Sequence, residues 1–213
     1  MLYQVAHKHV RTENIRFKRK MKDYIINNWI EILGVITGLV YLYQEIKASI
    51  YMWITGIIMP VISLFVYYEA GLYADFGINI YYCLASIYGI IAWQCGKKKD
   101  DKELPITQMP RKKWLALAAC FAACFIGISF ILQTYTDSNV PWWDSLTTSL
   151  SIIAMWMLAR KWIEQWWVWI AVDVISTGLY VFKGIYLYAA LYMLYAIIAI
   201  YGYYKWKQLI QTA

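Results

Sequence analysis

The chain has 213 residues, of which 62% are hydrophobic, 18% aromatic and only 15% charged. A soluble domain of this length needs more charged surface, so the composition indicates a protein whose solvent is largely the lipid bilayer. The net charge of +7 sits mostly in tails and loops, which argues against a nucleic-acid partner and favours signals that orient membrane helices.

Seven apolar segments follow one another along the chain. Several reach the roughly 20 residues that a helix needs to cross the hydrocarbon core. The second is the shortest, and it contains Pro60, which neighbouring helices must accommodate. The sequence therefore predicts an all-α membrane protein with seven transmembrane helices. The predicted helices cover residues 28–46, 53–70, 73–95, 114–133, 142–160, 164–182 and 186–206.

The second half of the chain repeats the first at a constant offset of 113 positions, without a gap. The predicted organisation is a basic N-terminal tail at 1–27, a three-helix repeat at 28–95, a basic loop and linker helix at 96–140, and a second three-helix repeat at 141–207. Equivalent helices are four apart, so both repeats run in the same direction through the membrane, as a 3+1+3 parallel pseudo-repeat. The matched residues include Trp29 and Trp142, Trp53 and Trp166, Gly89 and Gly202, and Trp93 and Trp206.

The charge bias across the membrane is small. Basic residues next to membrane spans prefer the cytoplasm, and slightly more of them fall on the face that holds the Lys-rich stretch at 97–113 and the C-terminus. We therefore expect a cytoplasmic C-terminus, although the basic N-terminal tail on the other face argues for the reverse.

Ionisable and strongly polar groups at membrane depth are costly, and they mark functional sites. Asp173 is the deepest, in WVWIAVDVIST, and Asn79 lies about one turn into the third helix. Asp173 either contacts a substrate or pairs with a neighbouring helix, and Asn79 is either a ligand contact or interhelical glue. Glu31 and Asp144 are equivalent residues in first helical turns, where a carboxylate complements the helix dipole, so we expect a scaffold role for both.

Several aromatic residues are expected away from the usual interfacial belt. Deep Trp and Tyr side chains can hold a flat ring between them, and their negative faces attract a cationic ring. Together with Asp173 they suit a planar, positively charged solute. Neither a catalytic nor a metal-binding motif is recognisable, so neither enzyme chemistry nor a cofactor is expected. The deep candidates are Tyr82, Trp156, Tyr180, Tyr192 and Tyr195, and the repeat equivalents Trp53 and Trp166 are candidates as well.

Four segments carry a resemblance to a known family: NWIEILGVITGL, GLYADFGINIYYCLASIYGIIAW, PWWDSLTTSLSIIAMWMLARKWIEQWWVWIAVDVIS and KGIYLYAALYMLYAIIAIYGYYKW. Over residues 28–207 the chain resembles the Pnu vitamin transporters of the bacterial inner membrane. That resemblance implies seven helices, often in a homotrimer, which carry an unphosphorylated vitamin by facilitated diffusion. Cytoplasmic phosphorylation would then trap the vitamin inside the cell.

Three positions depart from the nicotinamide riboside branch, PnuC. In that pattern an Asn stands in place of Met59, a Gln in place of Asn79 and an Asn in place of Asp173. The loss of two amides and the gain of a carboxylate favour thiamine, the substrate of the PnuT branch, with nicotinamide riboside or riboflavin as alternatives. A substrate-binding membrane receptor that does not transport is the expectation from a different class.

Overall fold

The computed structural model describes residues 29–69, 73–95, 104–136 and 138–212. These residues form seven helices: α1 Trp29–Ile46, α2 Tyr51–Glu69, α3 Tyr73–Cys95, α4 Lys113–Tyr135, α5 Pro141–Ala159, α6 Gln165–Phe182 and α7 Tyr186–Thr212. The predicted all-α membrane fold is confirmed, and most helix ends lie within two residues of expectation. The predicted N-terminal tail, residues 1–27, lies outside the described residues.

Three of the described segments are long and apolar enough to cross a membrane: Phe76–Cys95, Lys113–Tyr135 and Tyr186–Gln211. Shorter apolar stretches run through α1 and α2, at Ile32–Ile46 and Tyr51–Phe65. By contrast, α5 and α6 hold buried polar side chains such as Ser149 and Asp173. Helices of that composition face the protein interior, because lipid offers polar groups no hydrogen-bond partner.

The turns after α1 and α5 have the same backbone conformation. Ala48 and Lys161, which are 113 positions apart, have positive φ angles of 49° and 50°. In the first turn, Ala48 N donates to Glu45 O at 2.8 Å and Ser49 N to Gln44 O at 3.0 Å. The second turn repeats both bonds at equivalent positions. This is the Schellman motif that satisfies the last carbonyls of a helix, so the repeat extends to the backbone.

Each repeat also contains the same pair of crossed tryptophans. Trp53 meets Trp93 edge-on, with ring centroids 5.6 Å apart, and Trp166 meets Trp206 at the same distance. Gly89 and Gly202 lie against these rings, and an added Cβ would overlap Trp53 and Trp166 respectively. The recurrent glycines in the sequence therefore leave the space that the rings of the recurrent tryptophans occupy.

The two halves are joined by a reciprocal pair of hydrogen bonds. Trp93 Nε1 of α3 donates to Leu158 O of α5 at 3.4 Å, and Trp206 Nε1 of α7 donates to Glu45 O of α1 at 3.0 Å. Glu45 and Leu158 are themselves 113 positions apart. Each half thus gives the other the same contact, and a pseudo-two-fold axis relates them.

The linker helix α4 packs on α5 alone among the described helices. The segment before it crosses the α5–α6 turn, where Thr107 N donates to Lys161 O and Ile163 N to Thr107 O, both at 3.0 Å. Met109 N adds a bond to Glu164 Oε2 at 2.9 Å. These contacts fix the linker to the second half.

Candidate functional site

A cavity of about 390 Å³ lies between the two halves. Its lining comes from α1, α3, α5, α6 and α7, together with Lys183 after α6. A volume of this size is typical of a site for a small organic ligand. The interface between two repeats is also where small-solute carriers place their substrate.

Asp173 lies on the α6 side of this cavity, with 7% of its surface exposed. Its backbone oxygen accepts a bond from Thr177 Oγ1 at 2.8 Å. Within the described part of the chain, no hydrogen bond or ion pair to its carboxylate is found. The position equivalent to Asp173 in the first repeat is Pro60, so the acid occurs once and is not a scaffold feature of the duplicated unit.

A tyrosine wall, formed by Tyr180, Tyr192 and Tyr195, stands beside Asp173. The Tyr180 and Tyr192 rings stack with centroids 5.1 Å apart and planes inclined by 27°. Tyr195 meets Tyr192 edge-on at 5.8 Å. Tyr82 of α3 also lines the cavity. Aromatic faces next to a buried acid attract a flat cation through both dispersion and charge.

The tryptophan end of the cavity lies where α1 ends and α6 begins, and it is lined by Glu45, Trp166 and Trp169. Glu45 is almost fully buried, and its Oε1 accepts no hydrogen bond. Trp166 Nε1 and Trp169 Nε1 are likewise buried without a partner. The residues at this end therefore hold both acceptor and donor atoms that have no partner within the described part of the chain.

The lysine end of the cavity lies at the opposite ends of α5 and α6. Lys183 Nζ is 3.6 Å from Asp144 Oδ1, and Ser138 Oγ donates to Asp144 Oδ2 at 2.7 Å. Asp144 thus ties the start of α5 to the α6–α7 turn and also lines the cavity. The side chain of its equivalent, Glu31, lies outside the described residues.

The structure gathers part of the predicted site. Among the candidates, Asp173, Tyr82, Trp166, Tyr180, Tyr192 and Tyr195 line the cavity. Asn79, Met59, Trp53 and Trp156 are not among its lining residues.

The four remaining candidates occupy other places in the fold. Trp53 is fully buried against Trp93, and Trp156 packs edge-on against Trp162 at 5.2 Å. Met59 lies against Gly34 of α1, and Asn79 is a half-buried residue of α3. Asn79 and Trp156 were predicted from their depth along a helix, and depth does not say which side of the helix a residue is on. Trp53 was predicted from its equivalence to Trp166, and Met59 from the family pattern.

Sequence reasoning missed Glu45, because it is the next-to-last residue of the first predicted helix. The repeat contains a signal for it, since the equivalent residue is Leu158. An acid that replaces a fully buried leucine of the other repeat stands out against the duplication. Trp169, whose equivalent is Gly56, is a second such case.

The cavity is suited to binding rather than to covalent chemistry. Among the described residues, no group of three His, Cys, Asp or Glu side chains is arranged to hold a metal ion. The lining combines aromatic rings, aliphatic side chains, hydroxyl groups, three acids and one lysine, which recognise an organic ligand by shape, charge and hydrogen bonds.

A family model described as "Nicotinamide mononucleotide transporter" matches residues 28–208. The chain is 26% identical over 203 residues to the nicotinamide riboside transporter PnuC of Escherichia coli strain K12, covering 84% of this chain and 85% of that protein. It is 24% identical over 184 residues to the riboflavin/roseoflavin transporter RibM of Streptomyces davaonensis, with 84% of each chain covered.

The fold also matches a solved structure, the crystal structure of the vitamin B3 transporter PnuC. The TM-score is 0.69 at 22% identity, and the match covers 89% of this chain and 85% of the other. At that identity the likeness establishes the arrangement of the helices, and the ligand must be argued from the cavity.

Proposed function

The chain belongs to the nicotinamide mononucleotide transporter family, and from that premise we propose that it carries a flat, positively charged vitamin across the membrane. Nicotinamide riboside is the first candidate. Support comes from the cavity chemistry and from the similarity to the nicotinamide riboside transporter of Escherichia coli. The preference for thiamine that Asp173 suggested finds no support in the named relatives.

The observation that carries the proposal is the position of Asp173 beside the tyrosine wall, in the cavity between the halves. The pyridinium ring of nicotinamide riboside is flat and permanently positive. Stacking on Tyr180 or Tyr192 would bury its faces, and the carboxylate would balance its charge. A buried acid is costly unless a cation accompanies it. The Asp173 carboxylate has no ion-pair partner among the described residues, which favours a cationic ligand.

The charges of the lining favour a riboside over a nucleotide. Glu45, Asp144 and Asp173 are three carboxylic acids, whereas Lys183 is the one ammonium group among the lining residues. That ammonium is already paired with Asp144. A phosphate group needs Arg, Lys or backbone N–H partners, so an unphosphorylated vitamin fits better.

Thiamine is the second candidate, because its thiazolium ring is also a permanent cation and would meet Asp173 in the same way. Riboflavin, the ligand named for the Streptomyces relative, is flat but uncharged. It would gain from the tyrosine wall and nothing from the acid.

The proposed mechanism is alternating access by facilitated diffusion, in which the two halves rock about the cavity. Phosphorylation in the cytoplasm would trap the vitamin, and neither a cofactor nor ion coupling is invoked. We place the protein in the bacterial inner membrane with a cytoplasmic C-terminus, on the slight excess of basic residues at that face. A homotrimer is proposed on the sequence resemblance alone.

Uptake into proteoliposomes tests the proposal. Labelled nicotinamide riboside, thiamine and riboflavin are offered separately to the purified protein, without ATP or an ion gradient. We expect saturable entry of nicotinamide riboside that stops at equal concentrations on both sides, with weak competition by nicotinamide mononucleotide.

Two results would contradict this proposal. Binding without flux would make the protein a receptor, and flux of riboflavin alone would refute the argument from charge.

A further inference from the structure

Glu45 occupies a position where the fold itself accepts an apolar residue. It lies in the last turn of α1 with 1% of its surface exposed, and it lines the tryptophan end of the cavity. Its repeat equivalent, Leu158, is a fully buried member of the hydrophobic core. The acid is therefore not needed to build this turn.

Gln165 shows the same replacement on the facing helix. It begins α6, it is fully buried, and its repeat equivalent is Met52, also a core residue. The Gln165 amide is close enough to Glu45 to interact with it, yet Gln165 Nε2 and Glu45 Oε1 complete no hydrogen bond of good geometry. The polar pair Glu45 and Gln165 thus lies on one side of the pseudo-axis, and the equivalent apolar pair, Leu158 and Met52, lies on the other. Of the polar pair, Glu45 lines the cavity.

Buried polar atoms without partners are costly, and each such group calls for an explanation. At the tryptophan end, Glu45 Oε1 is an acceptor, whereas Trp169 Nε1 and Trp166 Nε1 are donors. All three residues line the same cavity. A ligand edge that carries an N–H donor next to an acceptor atom would satisfy both kinds of group.

We propose that Glu45 is a specificity-determining residue that accepts a hydrogen bond from an amide or amino N–H on the ring of the transported vitamin. This proposal rests on the proposed function and adds the chemical group that the tryptophan end recognises. Trp169 Nε1 donates to the acceptor atom beside that N–H. Asp173, which lies within electrostatic range of Glu45, balances the positive ring.

The proposal predicts rejection of the acid analogue of the amide. A carboxylate in place of the carboxamide offers no N–H and adds a negative charge next to Glu45 and Asp173. Sites that hydrogen-bond a substrate N–H discriminate strongly against analogues that lack it, because the buried partner is left unpaired. The carboxamide of nicotinamide riboside and the amino group of thiamine both offer the required donor.

The experiment compares matched ligand pairs on the full-length protein in proteoliposomes. One pair is nicotinamide riboside and nicotinic acid riboside. The other is thiamine and oxythiamine, in which an oxo acceptor replaces the exocyclic amino donor and the N–H is on the neighbouring ring nitrogen. For whichever vitamin is carried, we expect the unaltered protein to prefer the carboxamide or amino compound over its carboxylate or oxo analogue by about tenfold to a hundredfold. Glu45→Gln should reduce that preference to a fewfold, because an amide neither repels a carboxylate nor requires a donor.

Two further variants complete the design. Glu45→Leu copies the other repeat, so it should fold and should also lose the preference. Glu164→Gln is the matched control, because Glu164 is an acid near the same end that bonds Met109 N outside the cavity lining, and the preference should persist. Thermal unfolding in detergent confirms that each variant is folded.

The outcomes separate the two proposals. If the unaltered protein carries neither cationic vitamin, the proposed function fails and this inference fails with it. If it carries one of them and Glu45→Gln or Glu45→Leu leaves the preference for the N–H donor unchanged, only the role of Glu45 is refuted.

Discussion

Asp173 combines burial with an unused hydrogen-bonding capacity, and that combination carries the argument about charge. Its neighbours in the cavity are tyrosines, so no described cation offsets the carboxylate within the protein. A permanent cation on the ligand removes that imbalance. In the proposed function, Asp173 selects for charge and the tyrosine wall selects for flatness.

Asp173→Asn should weaken binding of nicotinamide riboside by about 2 kcal/mol, or roughly thirtyfold, because the ligand cation loses its buried counter-charge. Isothermal titration of the purified protein measures the change. Dihydronicotinamide riboside, the neutral reduced form, serves as the matched ligand, and its affinity should change little. Equal losses for both ligands would mean that Asp173 only supports the fold.

The sequence predicts a cavity residue where burying that residue in a membrane helix is costly. Asp173 stood out because a carboxylate in an apolar run is expensive. Trp156 was predicted for the site from its depth in a helix and Trp53 from its equivalence to Trp166, and both pack into the protein core. Glu45 was missed because hydropathy is uninformative at a helix end. Charge alone does not distinguish thiamine from nicotinamide riboside, since both contain a cationic ring.

The helices take their positions from small residues that receive large ones. Gly202 of α7 lies against the ring of Trp166 of α6, and Gly89 of α3 lies against Trp53 of α2. Close approach of backbones at glycine is the usual basis of helix packing in membranes. These glycine contacts hold Trp166 at the cavity and thereby position its tryptophan end.

Gly202→Ala should lower the stability of the folded protein by about 1–3 kcal/mol, because the added methyl group overlaps the Trp166 ring. Gly178→Ala is the control, since nothing lies within 4 Å of a Cβ at that helical position, and its stability should be equal or higher. Thermal unfolding in detergent reports both. Equal melting temperatures of the Gly202→Ala and Gly178→Ala variants would contradict the close packing of Gly202 against the Trp166 ring.

At the scale of elements, hydrophobic length and the 113-residue offset were enough to predict all seven helices. The largest difference is at the end of α7, which runs to Thr212 instead of 206. The helix continues for more than a turn past Trp206, which is fully buried and donates to Glu45 O. A cross-half contact of this kind leaves no trace in local hydropathy.

Two equivalent hydrogen bonds between the halves of the molecule reinforce a hydrophobic core that both halves share. Trp93 to Leu158 and Trp206 to Glu45 lie at the same level, where α1 and α5 end. They join the first and third helices of opposite repeats. The duplicated sequence predicted two like-oriented bundles, but the hydrogen bonds between the bundles are apparent only in the structure.

Trp93→Phe and Trp206→Phe should each destabilise the protein by about 1 kcal/mol, the usual net contribution of one hydrogen bond, because each removes an indole donor from a carbonyl that keeps its backbone donor. The two effects should be similar, because the contacts are equivalent. Trp167→Phe, at an exposed ring, is the control and should change the melting temperature little. A loss at Trp167 as large as at the other two would refute the special role of the cross-half bonds.

The positions at which the two repeats differ also determine the orientation of a bound ligand. Turning the protein by half a revolution about its pseudo-axis superposes the frame but exchanges Asp173 with Pro60 and Glu45 with Leu158. The enclosure is symmetric while its interior is one-sided, so the two rotated poses of a bound molecule differ in energy. A polarised guest is consequently held in a single pose.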